Sequence, residues 1–164
     1  MNIAISTDHA GLEQLKELQV FLESLGHTCN NFGPGFLKPD DDYPDFIFPA
    51  AKAVASGECQ MGVIMGASGQ GEAMAANRFK GIRCAVFYGP AVAKGVVDIN
   101  GRVSHDPYEI VRLSRLHNDA NMLSLAARFV NLEDMKSVVR LWLETEFGGE
   151  ERHARRIAKL DKES

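Results

Sequence analysis

The sequence is poor in the residues that build disulfide frameworks, redox centres and transition-metal sites. Three cysteines occur in 164 residues, and Cys29, Cys59 and Cys84 are too widely spaced to form a CxxC pair. The five histidines form neither an HExxH nor a His-x3-His pattern. These absences argue against a disulfide scaffold and a zinc site. We therefore expect reduced thiols, no metal, no cofactor and a cytoplasmic location.

Long apolar runs and an excess of basic residues are also missing. No apolar stretch is long enough for a transmembrane helix, and the first residues lack the basic segment and cleavage site of a secretory signal. Lys and Arg number 18 against 22 Asp and Glu, a net charge of −4. We therefore expect no nucleic-acid and no membrane partner. The 45% of apolar and 24% of charged residues are ordinary for a globular chain of this length.

Strand and helix patterns alternate along the whole chain. The predicted strands are 2–6, 27–32, 61–65, 82–88 and 122–126, and the predicted helices are 11–25, 45–56, 72–79, 107–116 and 131–147. This order predicts a doubly wound α/β sandwich with about five parallel strands, formed by a single domain over 1–147. The segment 89–106 is long for a connection and is predicted to be an insertion or lid. The charged extension 148–164 is expected to pack on a neighbouring subunit.

A glycine-rich loop, Gly66-Ala67-Ser68-Gly69-Gln70-Gly71, follows the apolar run 61–65 and precedes a predicted helix. Its N–H groups could hold an oxyanion or a phosphate. It lacks the Lys of a P-loop, the third glycine of GxGxxG and the spacing of GxSxG. What remains is an oxyanion nest followed directly by Glu72. That carboxylate could act as a base or only complement the dipole of the helix.

Two histidine motifs lie at the ends of other predicted elements. Asp8-His9 follows the first strand and pairs a carboxylate with an imidazole, although a helix cap with a solvated histidine explains it as well. His117-Asn118-Asp119 closes a helix before the last strand, where a histidine favoured by the helix dipole is the alternative. Each motif alone is weak support for a ligand site.

Three arginines complete the candidate groups. Arg152 and Arg156 are four residues apart, so on a helix they share a face and could clamp a phosphate together with Arg128. A solvated basic face is the alternative. The whole set of an anion nest, a carboxylate, two histidines and three arginines suits the aldose–ketose isomerisation of a phosphorylated sugar, which needs a base and donors for an enediolate.

Eight motifs, in this order, resemble those of the ribose-5-phosphate isomerase B / galactose-6-phosphate isomerase family across nearly the whole chain. They are DHAG (8–11), DYP (42–44), GASGQGE (66–72), AAN (75–77), GIR (81–83), HNDAN (117–121), AR (127–128) and RHARR (152–156). The resemblance implies a Rossmann-like three-layer α/β/α fold. It also implies a homo-oligomer, dimer or tetramer, whose active sites are shared between subunits.

The resemblance assigns catalytic roles as well. One branch of the family uses a cysteine after the third strand, but Gly66 stands at that position here. Another branch has a glutamate directly after the loop, which implies Glu72 as the base that shuttles the proton. Ser68 and the N–H groups of the loop would stabilise the enediolate; these N–H groups belong to Gly69, Gln70 and Gly71. His117, with Asp8 nearby, would open the sugar ring.

The remaining implied roles concern binding. Asn118 would contact the sugar, and Tyr43 and Asn77 would line or brace the pocket. The implied phosphate contacts are His9, Arg128, Arg152 and Arg156, some of them from the neighbouring subunit. The expected substrate is ribose 5-phosphate, because that activity is the commonest in the family.

Several alternatives stay open. The segment 89–106 is longer than its counterpart in relatives and could admit another aldose phosphate, such as allose 6-phosphate or galactose 6-phosphate. A sugar-phosphate-binding module without catalysis is a second class of protein, favoured by the missing cysteine. A hydrolase that uses Ser68 is a third class, disfavoured by the failed GxSxG pattern.

Overall fold

The computed structural model describes residues 1–162, so the last two positions of the predicted extension 148–164 lie outside the described residues. Its single sheet has five parallel strands in the spatial order β2-β1-β3-β5-β4. The strands are β1 (Asn2–Thr7), β2 (Thr28–Asn31), β3 (Met61–Gly66), β4 (Cys84–Phe87) and β5 (Met122–Ala126). The predicted five-stranded parallel sheet is confirmed.

Residues 1–162 form six α-helices, of which the first five pack on the two faces of the sheet. They are α1 (Leu12–Ser24), α2 (Pro44–Ala55), α3 (Gln70–Ala76), α4 (Glu109–Asn118), α5 (Leu132–Glu144) and α6 (Glu151–Leu160). Neighbouring residues of β1 point into different cores: Ile3 packs with α1, α4 and α5, whereas Ala4 packs with α2 and α3. This alternation is the period of a strand that is buried on both faces. The three-layer, Rossmann-like fold is confirmed.

The predicted strand 82–88 was too long at both ends. Its first residues pair elsewhere, since the Arg83 N–H donates to the side chain of Asn121 at 2.8 Å. At the other end, Tyr88 is exposed and already belongs to the following loop. The helix predicted at 72–79 starts earlier and ends earlier, because Gly69 adopts a left-handed conformation at φ +73° and starts the helix there.

The strand order places β5 between β3 and the edge strand β4. From β1 the chain moves to one side to form β2 and then returns to form β3 on the other side. Ligands of open α/β sheets bind where the order reverses in this way, at the carboxyl ends of the strands. In this fold that point lies between β1 and β3, with the end of β5 next to it.

The segment 89–106 contains neither helix nor strand and is held by the buried carboxylate of Glu109. Arg102 Nη2 donates to Glu109 Oε1 at 2.6 Å, and Ser104 Oγ donates to Oε2 at 3.0 Å. Burial alone would raise the pKa of Glu109, but these hydrogen bonds lower it below its ordinary range. The segment therefore has a defined anchor, and its role as an insertion or lid stays a prediction.

The charged extension forms α6, which packs on α4 of its own chain. His153 lies against His117, and the Gly148 N–H donates to the carbonyl of Leu116 at 3.1 Å. The Gly81 N–H donates to Asp161 Oδ1 at 3.3 Å. Packing on a neighbouring subunit stays a prediction. Among the described residues, no helix is both long and apolar enough to cross a bilayer.

Candidate active site

The glycine-rich loop places the carboxylate of Glu72 directly over Gly66. A Cβ atom added at Gly66 would lie 1.9 Å from Glu72 Oε1 and 2.1 Å from Cδ. A side chain at position 66 and Glu72 in its present orientation therefore exclude each other. Gly69 is restricted too, because its φ is positive and an added Cβ would meet the backbone of Leu125 at 3.1 Å.

Glu72 is buried, with 5% of its surface exposed. Burial raises the pKa of its carboxyl group, its own backbone N–H lowers it, and the nearby charge of Asp8 raises it, so that the pKa ends above the ordinary 4.5. A base works best when its pKa lies near the working pH. This environment therefore makes Glu72 a stronger base than a solvated glutamate, while the first turn of α3 still favours its ionised form.

Asp8 and His9 lie at the end of β1, beside Glu72. Asp8 Oδ1 accepts the Ala10 N–H at 2.9 Å and caps a short 3-10 helix at 9–11, so the interpretation as a cap is correct for this atom. Asp8 Oδ2 lies 3.8 Å from His9 Nδ1. Both side chains thus occupy the switch point between β1 and β3.

Asp41 is a residue that the sequence analysis did not identify. Its Oδ1 lies 2.6 Å from His9 Nδ1. The hydrogen bond to Asp41 raises the pKa of His9, burial of the ring lowers it, the charge of Asp8 raises it and Arg128 lowers it; the result is above 6.5. The sequence offers three consecutive aspartates at 40–42, and nothing in that run distinguishes the one that contacts His9.

The other predicted groups at this end surround the loop. The ring of Tyr43 packs on Gly71, where an added Cβ would lie 3.0 Å from Tyr43 Cζ. Ser68 Oγ accepts the Gln70 N–H at 3.4 Å. Arg128 follows β5, and its N–H donates to the carbonyl of Ala67 at 3.1 Å. N–H groups in the first turn of a helix lack partners within that helix; in α3 those of Gln70 and Glu72 donate to side-chain oxygens, which leaves the Gly71 N–H as a donor to an anion.

The structure does not bring every predicted site residue to this end. α4 ends at Asn118, immediately before β5 begins, so His117 and Asn118 lie at the amino end of the sheet. Asp8 lies beyond the carboxyl end of β1, and a five-residue strand between the two ends spans roughly 17 Å. Within one chain His117 is therefore not near Asp8. His117 and Asp8 could therefore meet only across two chains, and the expectation that they act together in a shared site stays a prediction.

The arginines are separated in the same way. Arg152 and Arg156 lie on α6, which packs on α4 and is followed by Asp161, whose side chain accepts the Gly81 N–H in the loop before β4. Arg128 lies after β5 at the carboxyl end of the sheet. The three arginines therefore form no clamp within one chain.

At the amino end two imidazoles stack on each other. The rings of His117 and His153 are 4.3 Å apart and inclined by 11°. Glu150 Oε1 lies 3.9 Å from His153 Nε2, and Arg152 Nε donates to Glu150 Oε2 at 2.7 Å. Burial lowers the pKa of His153, and the nearby His117 and Arg152 lower it further. This end is thus rich in imidazole and guanidinium groups.

Asn77 braces the edge strand instead of facing Glu72. Its Oδ1 accepts the Cys84 N–H at 2.8 Å, and its Nδ2 donates to the Cys84 carbonyl at 3.0 Å. A cavity of about 460 Å³ opens beside it, between β4, α4 and the end of α6, and Asn118 and Arg83 also line it. Asn77 thus fixes β4 and also lines this cavity, and its predicted role at the substrate pocket stays a prediction.

One group of side chains among residues 1–162 has donor atoms close enough together for a metal ion. One ligand atom each from Asp8, His9 and Asp41 lie within 4.8 Å of one another. A metal would have to displace the proton between His9 Nδ1 and Asp41, since a carboxylate and a bare ring nitrogen both only accept. The expectation of no metal stays a prediction.

Comparison with known proteins identifies the family of this chain. The sequence profile of the Ribose/Galactose Isomerase family matches residues 3–104 and 93–160. The chain belongs to this family. The two matched ranges overlap at residues 93–104, inside the segment 89–106.

Solved structures and relatives extend the agreement over nearly the full length. Ribose-5-phosphate isomerase B of Clostridium thermocellum is 36% identical, with a TM-score of 0.84 and coverage of 99% of this chain and 96% of that one. The Mycoplasma genitalium enzyme with bound ribulose-5-phosphate is 31% identical, with a TM-score of 0.84 and coverage of 99% and 95%. Ribose-5-phosphate isomerase B of Mycolicibacterium paratuberculosis is 29% identical over 157 residues, covering 96% and 87%. These similarities support a sugar-phosphate isomerase of the aldose–ketose type.

Proposed function

We propose that the chain interconverts ribose 5-phosphate and ribulose 5-phosphate, with Glu72 as the base and without a metal ion. The observation that carries this proposal is the buried carboxylate of Glu72 over Gly66, beside the N–H donors of the loop. The names of the relatives, and the ribulose-5-phosphate bound by the Mycoplasma genitalium enzyme, support the choice of sugar.

The reaction moves one proton between adjacent carbons of the open-chain sugar. Glu72 removes the proton from C2, and the oxygen of the C1 carbonyl becomes the negatively charged oxygen of an enediolate. The loop N–H groups and Ser68 stabilise this negative charge. The protonated Glu72 then delivers the proton to C1, while the O2 proton moves to O1 and C2 becomes the carbonyl carbon. A glutamate whose pKa is raised by burial can both take and return this proton.

Opening the ring and holding the phosphate require the groups at the other end of the sheet. We place His117 as the ring-opening group and Asn118 as a sugar contact. Because these lie at the amino end, we propose that the amino end of one chain covers the carboxyl end of a second copy. Arg152 and Arg156 then join His9 and Arg128 around the phosphate. The homo-oligomer follows from this arrangement.

The test is an NMR assay of the purified protein in D2O with EDTA present. Ribose 5-phosphate, allose 6-phosphate and galactose 6-phosphate are compared, beside Glu72→Gln and the control Glu133→Gln, whose side chain is 82% exposed. We expect conversion and deuterium exchange for ribose 5-phosphate, lost in Glu72→Gln and kept in the control. Turnover by Glu72→Gln near that of the unmodified protein would refute the assignment of the base.

Other outcomes identify the remaining candidates. Preferred conversion of a hexose phosphate would indicate that the longer segment 89–106 admits a larger sugar. Binding of all three sugars without conversion would indicate a binding module. Release of inorganic phosphate would indicate a hydrolase.

A further inference from the structure

Asp41 differs from its two acidic neighbours in having a buried side chain. Asp40 and Asp42 are exposed, whereas the side chain of Asp41 retains 5% of its accessible surface. The turn that places it is closed by its own N–H, which donates to the carbonyl of Lys38 at 3.2 Å. Burying an ionised carboxylate is costly unless hydrogen bonds compensate the lost water. The burial of Asp41 therefore requires a partner.

That partner is His9, which Asp41 contacts twice. Oδ1 of Asp41 lies 2.6 Å from Nδ1 of the ring and accepts the backbone N–H of His9 at 3.3 Å. An ionised carboxylate can only accept, so the proton of the shorter contact lies on Nδ1. Nε2 of His9 has no hydrogen-bond partner within residues 1–162. The ring is held through one nitrogen and open at the other.

We propose that Asp41 is a positioning residue for His9, holding the ring through Nδ1–H so that Nε2–H is presented as a cationic donor to the phosphate of the substrate. The identity of the anion rests on the proposed function. A phosphate oxygen accepts, and hydrogen bonds between charged groups are roughly twice as strong as neutral ones. Asp41 touches no reacting carbon, so its effect is on binding and not on proton transfer.

The charges around the ring are consistent with this role. Asp8 Oδ2 lies 3.8 Å from Nδ1, so two carboxylates face that side of the ring. Together they raise the pKa of His9 against the opposing effects of burial and Arg128. Since the pKa is raised, the cationic form persists to a higher pH than in a solvated histidine and is lost as the pH rises through the shifted value.

The first test observes the ring directly and needs no enzymatic activity. NMR of protein with isotope-labelled histidine, in EDTA, reports the protonated nitrogen and the titration midpoint of His9, assigned with His9→Gln. We expect the neutral ring to carry its proton on Nδ1 and to titrate above 6.5, the ordinary value. Asp41→Asn should lower this midpoint, and the matched control Asp40→Asn should not. A proton on Nε2 of the neutral ring, or an unchanged midpoint in Asp41→Asn, overturns the proposal.

The second test separates binding from catalysis with ribose 5-phosphate. Asp41→Asn should raise KM by about tenfold while kcat changes by less than about twofold. The pH at which KM begins to rise should also fall. Asp41→Glu should recover part of the loss, and Asp41→Asn should add nothing in a His9→Gln background. Equal losses in kcat and kcat/KM with an unmoved pH profile would show a merely structural role and overturn the proposal.

The two tests fail in different ways. If no sugar phosphate is isomerised, the proposed function fails, and inorganic phosphate replaces the sugar as the NMR probe. Added phosphate should then raise the His9 midpoint in the unmodified protein and raise it less in Asp41→Asn. No response of His9 to phosphate overturns the inference. If Asp41→Asn does not fold, Asp41→Glu and the spectra of the unmodified protein give the same decision.

Discussion

The two ends of the sheet carry different sets of groups. At the carboxyl end, the buried side chains of Asp8 and Asp41 lie against the His9 ring, and the buried carboxylate of Glu72 lies near Asp8. At the amino end, two stacked imidazoles lie beside a helix that carries Arg152 and Arg156. The carboxyl end holds the proposed base together with His9 and Arg128, and the amino end adds two further imidazoles and two guanidinium groups, so the proposed reaction draws on both ends. The proposed assembly of copies requires that these two sets of groups be complementary half-sites.

The largest expected effect on activity comes from replacing Glu72, the proposed base at the carboxyl end. Glu72→Gln keeps the shape of the side chain but cannot take a proton, so kcat for ribose 5-phosphate should fall by about 10²- to 10⁴-fold. Binding of the sugar phosphate should persist, because the predicted phosphate contacts are untouched. Calorimetric titration beside the rate measurement checks both statements. A rate loss explained entirely by lost binding would remove Glu72 from proton transfer.

Mixing two inactive variants tests whether the two ends of different chains meet. Glu72→Gln and His117→Gln are unfolded together, refolded together and assayed. If each site takes Glu72 from one chain and His117 from another, random pairing restores about a quarter of the sites of a dimer. If the two residues act within one chain, every site keeps a lesion and the mixture stays inactive. Each variant refolded alone is the control.

The arginines of the amino end should affect binding more than chemistry. Arg156→Ala removes the proposed charged contact to the phosphate and should raise KM by about tenfold with kcat little changed. Arg155 is exposed on the same helix and has no predicted role, so Arg155→Ala is the matched control. An unchanged KM in Arg156→Ala would remove this residue from the phosphate site.

The smallest expected effect is on the free energy of unfolding. Its pH dependence should differ between the two ends of the sheet. The pKa of Glu72 is raised in the folded protein, so the folded state binds more protons than the unfolded state just above pH 4.5. Stability contributed by Glu72 therefore falls as pH rises through the shifted pKa. Glu72→Gln removes this loss of stability. The free energy of unfolding of the variant in urea, relative to that of the unmodified protein, should therefore increase from pH 4 to pH 8. A constant difference across this range would contradict the raised pKa.

His153, at the amino end, gives the opposite pH dependence. Its pKa is lowered by burial, so the unfolded state binds more protons near pH 6. Stability contributed by His153 should rise with pH through that range. His153→Gln should therefore flatten the pH dependence of unfolding below pH 7, which the same urea series measures.

Much of the fold follows from local patterns in the sequence. The period-two pattern of β1 sends Ile3 and Ala4 into different cores, and Asn131 caps α5 by accepting the Asp134 N–H at 2.9 Å. These features depend on residues within a few positions of one another, so the chain itself encodes them. The glycine-rich loop 66–71 was recognisable in the sequence. The position of the Glu72 carboxylate over Gly66 was not.

The tertiary structure decided the order of the strands and the separation of the site residues. A motif beside a strand looks the same in the sequence whether it precedes the strand, as His117 does, or follows it, as Asp8 does. Only the direction of the packed strand places one at each end of the sheet. Likewise, three aspartates in a row are locally equivalent, and the fold buries the one that meets His9. Sequence determines which segments bury apolar surface, whereas contacts between distant segments depend on how the crossovers pack them together.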